Sequence, residues 1–481
     1  MEVAILKVAF IYAPVAHKSF EENLKVVDED FGRMPPLSLL YAAAIAERAG
    51  YKVCVIDANA MRFSLDDVVK RLSDFSPNVI AGTLSTYMFR DTTAFLGELK
   101  KRFGVPVIVG GINVRLYPEE TMVCPDLDYG VAHFATKGLP ALLSAIERGL
   151  SPVGLPEVVA RDEHGNIVIG EVDHNENPFE YLPFPARHLL DNHAYFSLIS
   201  QRRPFTIMVT TTGCRYKCHF CSIASLPLFV NDLPRVLEEI RICVEQHGIR
   251  EIDFFDANFV TDRDRTMAIC RALSKAKYDL EWSCRARLDG LDRELLQAMS
   301  QAGCRQIYVG IETPDPKAQR QMNKVVPHKM VTERLFWMHE HHIRPLGFFM
   351  LGVPGETHRS CLRTIRYALS LPLDYAQFSR TIAKPGSYLD KELIRATGKD
   401  YWRDWILGRD VPARLPNLES ELDDDQIEFY THLAYYLFYY RPSYILKALR
   451  RVRSMDELLR GARTALRMLV PHSDTPRKKA P

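Results

Sequence analysis

The 481-residue sequence has no uninterrupted apolar run of the roughly 18–20 residues that a membrane-spanning helix needs. Its opening, MEVAILKVAFIYAPV, turns quickly into HKSFEENLK. That start carries neither a basic leading region nor a small-residue cleavage site, so no signal peptide is expected. Charge imbalance is also missing: a formal net charge of +2 gives no general reason to expect nucleic acid as a partner. There is no tandem repeat. Cysteine is sparse and uneven, with ten residues at 54, 124, 214, 218, 221, 243, 270, 284, 304 and 361 and none beyond. In a long chain without a secretory signal a disulfide framework is not expected. Most thiols outside one cluster sit in apolar stretches, such as Cys54 in YKVCVIDA, and read as small buried side chains. With 47% hydrophobic and 25% charged residues, the chain reads as soluble, globular and cytoplasmic, and its length suggests roughly two to four domains.

What is there is a long βα alternation. Over residues 1–150 the strand candidates are 5–13, 52–58, 78–84, 106–111 and 127–132, with helices between them closing on Gly50 and Gly104. Strands apolar along their whole length imply burial on both faces, hence a parallel, doubly wound, Rossmann-like sheet. Residues 151–200, rich in Pro, Asn, Asp and His, read as a crossing linker with a hairpin around His164–Gly165–Asn166. A second series follows over 201–395: FTIMVTTT, EIDFFDA, EWSCRA, QIYVGIE, LGFFMLG and YAQFSRTI. Six strands with intervening helices predict a partial (βα)6 barrel, whose chemistry belongs at the C-terminal ends of the strands. Residues 396–481 change character to an aromatic helical stretch, then a basic one, then a tail expected to be disordered.

Cys214, Cys218 and Cys221 crowd into TTTGCRYKCHFCSIA, directly after the first strand of the second series. Three thiolates on one loop can each bind one iron of a [4Fe–4S] cubane and leave the fourth iron open. A structural zinc would want a fourth ligand, which His219 could supply. Three unpaired structural cysteines are the remaining reading.

The CxxxCxxC spacing, with Gly213 before it and Phe220 before the last cysteine, resembles the radical SAM superfamily. The resemblance extends to FFDANFVTDRDR (254–265), CRARLDGLDRELLQAMSQAGCRQIYVGIETPD (284–315) and GFFMLGVPGET (347–357). Together with the N-terminal domain it covers about residues 1–390 and looks most like the subgroup with an N-terminal cobalamin-binding-like domain. The resemblance implies that the open iron binds S-adenosylmethionine. One electron then cleaves the sulfur–C5′ bond, and the resulting radical abstracts a substrate hydrogen. The cofactors carry that chemistry while the protein orients them.

Several residues are candidates for holding S-adenosylmethionine. Asp256 and Asn258 end the second barrel strand and could meet its ammonium or ribose. Arg285 and Arg287 alternate on the third strand, so both point to one face and could meet a carboxylate. Glu312 and Thr313 end the fourth strand, where Glu312 could accept from ribose hydroxyls or the ammonium. Each could equally serve in ion pairing at the barrel mouth. Gly352 and Gly355 allow close backbone approach in the turn GVPGET.

In the N-terminal domain a corrin would lie over the strand ends, where Gly110 and Gly111 would admit a bulky planar cofactor; a plain tight turn is the alternative. The Asp-x-His-x-x-Gly signature of many cobalamin proteins is absent. His17 stands in that region without the flanking Asp and Gly, and reads as a solvent-facing loop residue. The aromatic stretch FYTHLAYYLFYY, followed by Lys447, Arg450, Arg451 and Arg453, could lie at a membrane surface, cover a lipid-like or planar substrate, or pack on the barrel. The absence of cysteine beyond Cys361 argues against an auxiliary C-terminal cluster.

The resemblance therefore implies an enzyme with a [4Fe–4S] cluster, S-adenosylmethionine and cobalamin. Its expected reaction is C-methylation of a small molecule, which is hydrophobic or lipid-like if the aromatic helices cover it. A one-electron reductant such as flavodoxin or ferredoxin would serve it. Ring formation or oxidation of a tetrapyrrole or isoprenoid is the alternative, and a non-catalytic cluster- or cobalamin-binding protein the third reading.

Overall fold

The computed structural model describes residues 5–14, 32–417 and 420–449, and beyond these residues 455, 458, 459, 461 and 462. His17, Arg450, Arg451, Arg453 and the tail beyond 462 lie outside the described residues.

The first sheet has seven strands: β1 Lys7–Tyr12, β2 Lys52–Asp57, β3 Val79–Thr83, β4 Val107–Gly110, β5 Tyr129–Val131, β6 Val158–Arg161 and β7 Ile167–Ile169. Their order is β2-β1-β3-β4-β5-β6-β7. The pairs through β4–β5 are parallel, as the continuous apolar strands imply. Alternate residues feed two cores. Ile11, Ile80, Val107 and Val109 face one layer of helices, and Val8, Phe10, Val79 and Ile108 face the other. The hairpin expected near His164 does form, and it does more than turn. Its strands β6 and β7 add to β5 in antiparallel register and continue the first sheet. Asp162 sets the turn, its carboxylate accepting from the amides of His164 (2.9 Å) and Asn166 (2.8 Å).

The second sheet is all parallel and open: β8 Phe205–Met208, β9 Glu251–Phe254, β10 Glu281–Ala286, β11 Cys304–Glu312, β12 Arg344–Leu351 and β13 Tyr375–Arg380, paired in chain order. Ile252, Phe254, Trp282, Cys284, Ile307 and Val309 are at most 1% exposed within its core. The helix Asp424–Tyr439 covers the outer strand β13. Its tyrosines do specific work there. The Tyr435 hydroxyl accepts from the Phe378 amide (3.2 Å), and the Tyr439 hydroxyl both accepts from the Ala376 amide (3.1 Å) and donates to the Ala376 carbonyl (2.7 Å). Edge-strand groups that would otherwise stay unpaired are satisfied in this way. The stretch is thus largely barrel cover. Among the described residues, no helix is long and apolar enough to cross a membrane. Lys447, read as part of a basic face, pairs with buried Asp374 at 2.9 Å.

One of the two cores of the first sheet also takes in residues of the second half. Met322, Met350, Val353, Ile382 and Trp402 from the second half pack with Ile11, Ile80 and Val109 from the first. The Arg90 Nε donates to the Trp405 carbonyl (2.9 Å), and the Trp405 indole donates to the Thr86 carbonyl (3.1 Å). These bonds tie the helix Tyr401–Ile406, which follows the second sheet, to the first domain.

Candidate active site between the two sheets

The cysteine loop leaves β8 through Thr211–Thr212, which pair antiparallel with Phe229–Val230. Gly213 then turns the chain at φ +73°, and a side chain there would run into the Pro227 carbonyl. Several bonds hold the loop from outside. The Lys217 ammonium donates to the Ala224 carbonyl (2.8 Å), and the Asn323 amide to the Lys217 carbonyl (2.8 Å). His219, a candidate zinc ligand by sequence, serves as a pin. Its backbone amide donates to the Met322 carbonyl (3.0 Å), its Nδ1 lies 2.6 Å from the Gln321 carbonyl, and its ring stacks on Tyr388 at 4.1 Å.

Cys214, Cys218 and Cys221 are free and partly exposed, whereas Cys243, Cys270, Cys284, Cys304 and Cys361 are buried. Among the described residues no three potential ligands converge on one point. A cubane does not ask for that, because each thiolate binds a separate iron. Burial pushes the Cys218 thiol up, and the charges of Lys324 and Arg287 oppose that push. The Arg287 Nη1 lies 3.9 Å from the Cys218 sulfur, while its guanidinium stacks over Tyr216 and pairs with Asp289 at 2.8 Å. A thiolate loop flanked by two cations suits an anionic iron–sulfur cluster.

The other expected residues divide in two. Asp256 is fully buried and turned inward, accepting from the Thr210 amide (2.6 Å), the Thr210 hydroxyl and the Thr211 amide (3.2 Å). Burial pushes its carboxyl up against those bonds. It braces the entry to the cysteine loop. Asn258, 4% exposed, accepts from the Arg287 amide (3.0 Å) and ties the end of β9 to that of β10. Arg285 is committed to buried Asp253 (2.5 Å), with its guanidinium between the rings of Phe255 (3.8 Å) and Tyr308 (4.5 Å). Thr313 is buried beside Thr364 and accepts from the Asp315 amide (3.2 Å). Of this set, Glu312 and Arg287 stay at the cysteine loop with charged ends. Glu312 is paired with Lys324, a residue that carries no motif signal in the sequence. Gly352 and Gly355 both adopt φ +74°, and the turn between β12 and the next helix closes on Glu356, whose carboxylate accepts from the Gly352 and Val353 amides.

A cavity of about 470 Å³ lies where the two strand-end faces meet. Gly82, Thr83, Gly110 and Gly111 border it from the first sheet; Thr211, Thr212, Gly213 and Ala257 border it from the second. Gly111 sits at φ +103°, where a side chain would strike the Leu84 carbonyl (2.6 Å) and the Thr83 hydroxyl (2.8 Å). At Gly110 a side chain would meet only the Val131 carbonyl, at 3.8 Å. Gly111 thus answers to the tight turn, as the plain-turn alternative implied; at Gly110 no side chain meets a large planar group over the strand end, and there the residues present fit a corrin.

Two family models match the chain: the radical SAM superfamily over residues 208–368 and the B12 binding domain over residues 24–143. An uncharacterized methyltransferase of Pyrococcus horikoshii is 28% identical over 86% of this chain and 89% of its own length. The cytidylyl-2-hydroxyethylphosphonate methyltransferase of Streptomyces wedmorensis is 25% identical over 75% of this chain and 78% of its own. The fold is that of the radical S-adenosylmethionine methyltransferase TsrM from Kitasatospora setae, solved with cobalamin and a [4Fe–4S] cluster. That match has a TM-score of 0.63 and 17% identity, and covers 81% of this chain and 78% of that one. With a cysteine loop at the mouth of an open parallel barrel, a doubly wound domain facing it and both family models matched, the chain carries a radical SAM domain preceded by a B12-binding domain.

Proposed function

We propose that this protein is a cobalamin-dependent radical S-adenosylmethionine C-methyltransferase acting on a small molecule in the cavity between its sheets. One observation carries the reading: the C-terminal edges of both sheets border a single cavity, through Gly110–Gly111 on one side and Thr211–Gly213 on the other. Ligands of open α/β sheets and of barrels both bind at such edges. Cys214, Cys218 and Cys221 would hold a [4Fe–4S] cluster that reductively cleaves S-adenosylmethionine, and a corrinoid over Gly110 and Gly111 would supply the methyl group.

The chain's own residues prepare that site. Arg287 and Lys324 favour the thiolate at Cys218. Asp256 and Asn258 fix the strand ends around the cysteine loop, and Gly213 sets the turn into the loop. Glu312 offers a carboxylate for the ammonium or ribose of S-adenosylmethionine. Phe10, Leu37, Phe134, Leu139 and Leu182 make the cavity wall apolar, which suits a substrate with a hydrophobic body and keeps water from a reactive intermediate. An external one-electron carrier of the flavodoxin or ferredoxin type would reduce the site. A cytoplasmic location fits such a carrier. The covering role of Tyr435 and Tyr439 makes a membrane-binding role for that helix unnecessary.

Anaerobic reconstitution tests the reading. Wild type is expected to take up iron and sulfide and to cleave S-adenosylmethionine under reduction, and Cys218→Ala to do neither. A Cys218→Ala protein that cleaves as fast as wild type contradicts it.

A further inference from the structure

Among the described residues, the Arg115 guanidinium and the His133 Nε2 in the cavity wall have no hydrogen-bond partner. Arg115 stands on the short helix Ile112–Leu116 that follows β4 and Gly111. Among the described residues its guanidinium has no hydrogen-bond or ion-pair partner; its one recorded neighbour is the Phe134 ring, 6.0 Å away. Burial lowers its pKa, so the charge is partly stripped of water with no counter-ion in return. His133, at the end of the neighbouring strand β5, lines the same cavity. Its Nδ1 faces the Glu157 carboxylate at 3.4 Å, with both side chains only 4% exposed. Its Nε2 is buried and has no hydrogen-bond partner among the described residues. Phe134 joins the two groups, with its ring 4.7 Å from His133 and beneath Arg115.

Glu157 is itself held firmly. Its other oxygen accepts from the amides of Gly138 (2.9 Å) and Lys137 (3.4 Å). A carboxylate fixed behind Nδ1 orients the imidazole and turns its Nε2 edge toward the cavity. A desolvated, unpaired guanidinium is costly unless a ligand completes it. A guanidinium without a counter-ion, beside an oriented imidazole edge and next to Gly110, which carries no side chain, matches an anionic group such as a phosphate or carboxylate.

We propose that Arg115 and His133, oriented by Glu157, form an anion-binding subsite on the first-sheet side of the cavity. The anionic group has two possible sources: the nucleotide-tail phosphodiester of a bound corrinoid, or a phosphate or carboxylate carried by the substrate. The first source rests on the cobalamin reading above, and the second does not.

The test titrates cluster-reconstituted wild type, Arg115→Ala, Arg115→Lys and His133→Leu with aquacobalamin and with cobinamide, a corrin without the phosphodiester, read by absorbance. Inorganic phosphate is then titrated into the corrinoid-loaded proteins by calorimetry. If the corrinoid supplies the anion, Arg115→Ala and His133→Leu weaken aquacobalamin by about tenfold or more and leave cobinamide unchanged, and Arg115→Lys recovers part of the loss. If the substrate supplies it, both corrinoids bind all variants as they bind wild type, and phosphate binds loaded wild type at least about tenfold more tightly than loaded Arg115→Ala. Equal binding of both corrinoids and of phosphate by wild type and Arg115→Ala overturns the subsite. If wild type binds neither corrinoid, the cobalamin reading fails instead, and the phosphate titration of the cluster-loaded protein alone decides the subsite. Retained Arg115→Lys binding separates lost charge from misfolding.

Discussion

The Lys324 ammonium lies 2.7 Å from Glu312 Oε1, and each side chain is only 10% exposed. Both belong to the wall beside the cysteine loop. Glu312 holds the left-handed region at φ +64°, unusual for a residue with a side chain. Gly310 leaves the room, since a side chain there would overlap both the Lys324 ammonium and the Glu312 carboxylate. Strain of this kind persists where surrounding structure enforces it, and it clusters at working sites.

Replacing Lys324 strands that carboxylate. Lys324→Met is expected to destabilise the fold by on the order of 2–4 kcal/mol, because a mostly buried charge loses its partner. It also removes a cation that lowers the Cys218 thiol. Denaturant unfolding checks the first effect; iron retained after anaerobic desalting checks the second, and should fall. Lys324→Arg should restore much of both. Unchanged iron and unchanged stability in Lys324→Met would remove the pair from the account.

Gly213→Ala should lose the cluster. The left-handed φ and the collision with the Pro227 carbonyl act together, so the loop must move. A strained backbone of this kind costs on the order of 1–3 kcal/mol. Gly50→Ala is the control, since its φ of +92° meets open space and is far from the cysteines. Iron and sulfide content should fall in Gly213→Ala and stay at the wild-type level in Gly50→Ala.

Glu356 carries a pH signature. Burial pushes its carboxyl up to about 7, against the amide bonds from Gly352 and Val353. Its pKa is higher folded than unfolded, so the folded state holds the proton more tightly. Stability from this group is complete below the unfolded carboxylate range and is lost as pH rises toward 7. The loss is at most about 3 kcal/mol. Glu251, also pushed up to about 7 by burial, acts in the same direction. Unfolding free energies measured from pH 5 to 8 should decline less steeply for Glu356→Gln than for wild type, and identical slopes would exclude the assignment.

Tyr439→Phe should act on the barrel edge and leave the cluster alone. The change strips the Ala376 amide and carbonyl of one shared partner, a cost of about 1–3 kcal/mol. A lower melting temperature with unchanged iron content is the expected pair of results. Loss of iron in this variant would mean that the helix Asp424–Tyr439 supports the active site, not only strand β13.

Much of this architecture was legible in the residues. Continuous apolar strands such as KVAFIY announced a sheet buried on both faces, because a parallel sheet covered by helices leaves no polar face. The cysteine spacing announced its own chemistry. Pairing was harder to read. Arg285 and Asp256 looked like ligand groups because they sit at strand ends, but Asp253 and Thr210 engage them, and these partners are set by tertiary register rather than by sequence distance. Lys324 was missed for the converse reason, since a single lysine in QMNKVV has no spacing signal until the fold brings it to Glu312. The β6–β7 hairpin read as linker because its strands are only four and three residues long, too short for period alone to assign them to a sheet. The aromatic helix left membrane contact, substrate cover and packing on the barrel open by composition, and Tyr435 and Tyr439 meeting the backbone of β13 favour packing.

The most direct test of the central claim follows the methyl group. Reconstituted protein with cobalamin, a reductant and methyl-deuterated S-adenosylmethionine is incubated with an extract from a strain lacking this protein, and small molecules are compared by mass. A metabolite that gains an intact trideuteromethyl group while 5′-deoxyadenosine forms is the expected result, with neither product from Cys218→Ala. A metabolite that loses hydrogens without acquiring label while 5′-deoxyadenosine accumulates would contradict methyl transfer and assign ring formation or oxidation instead.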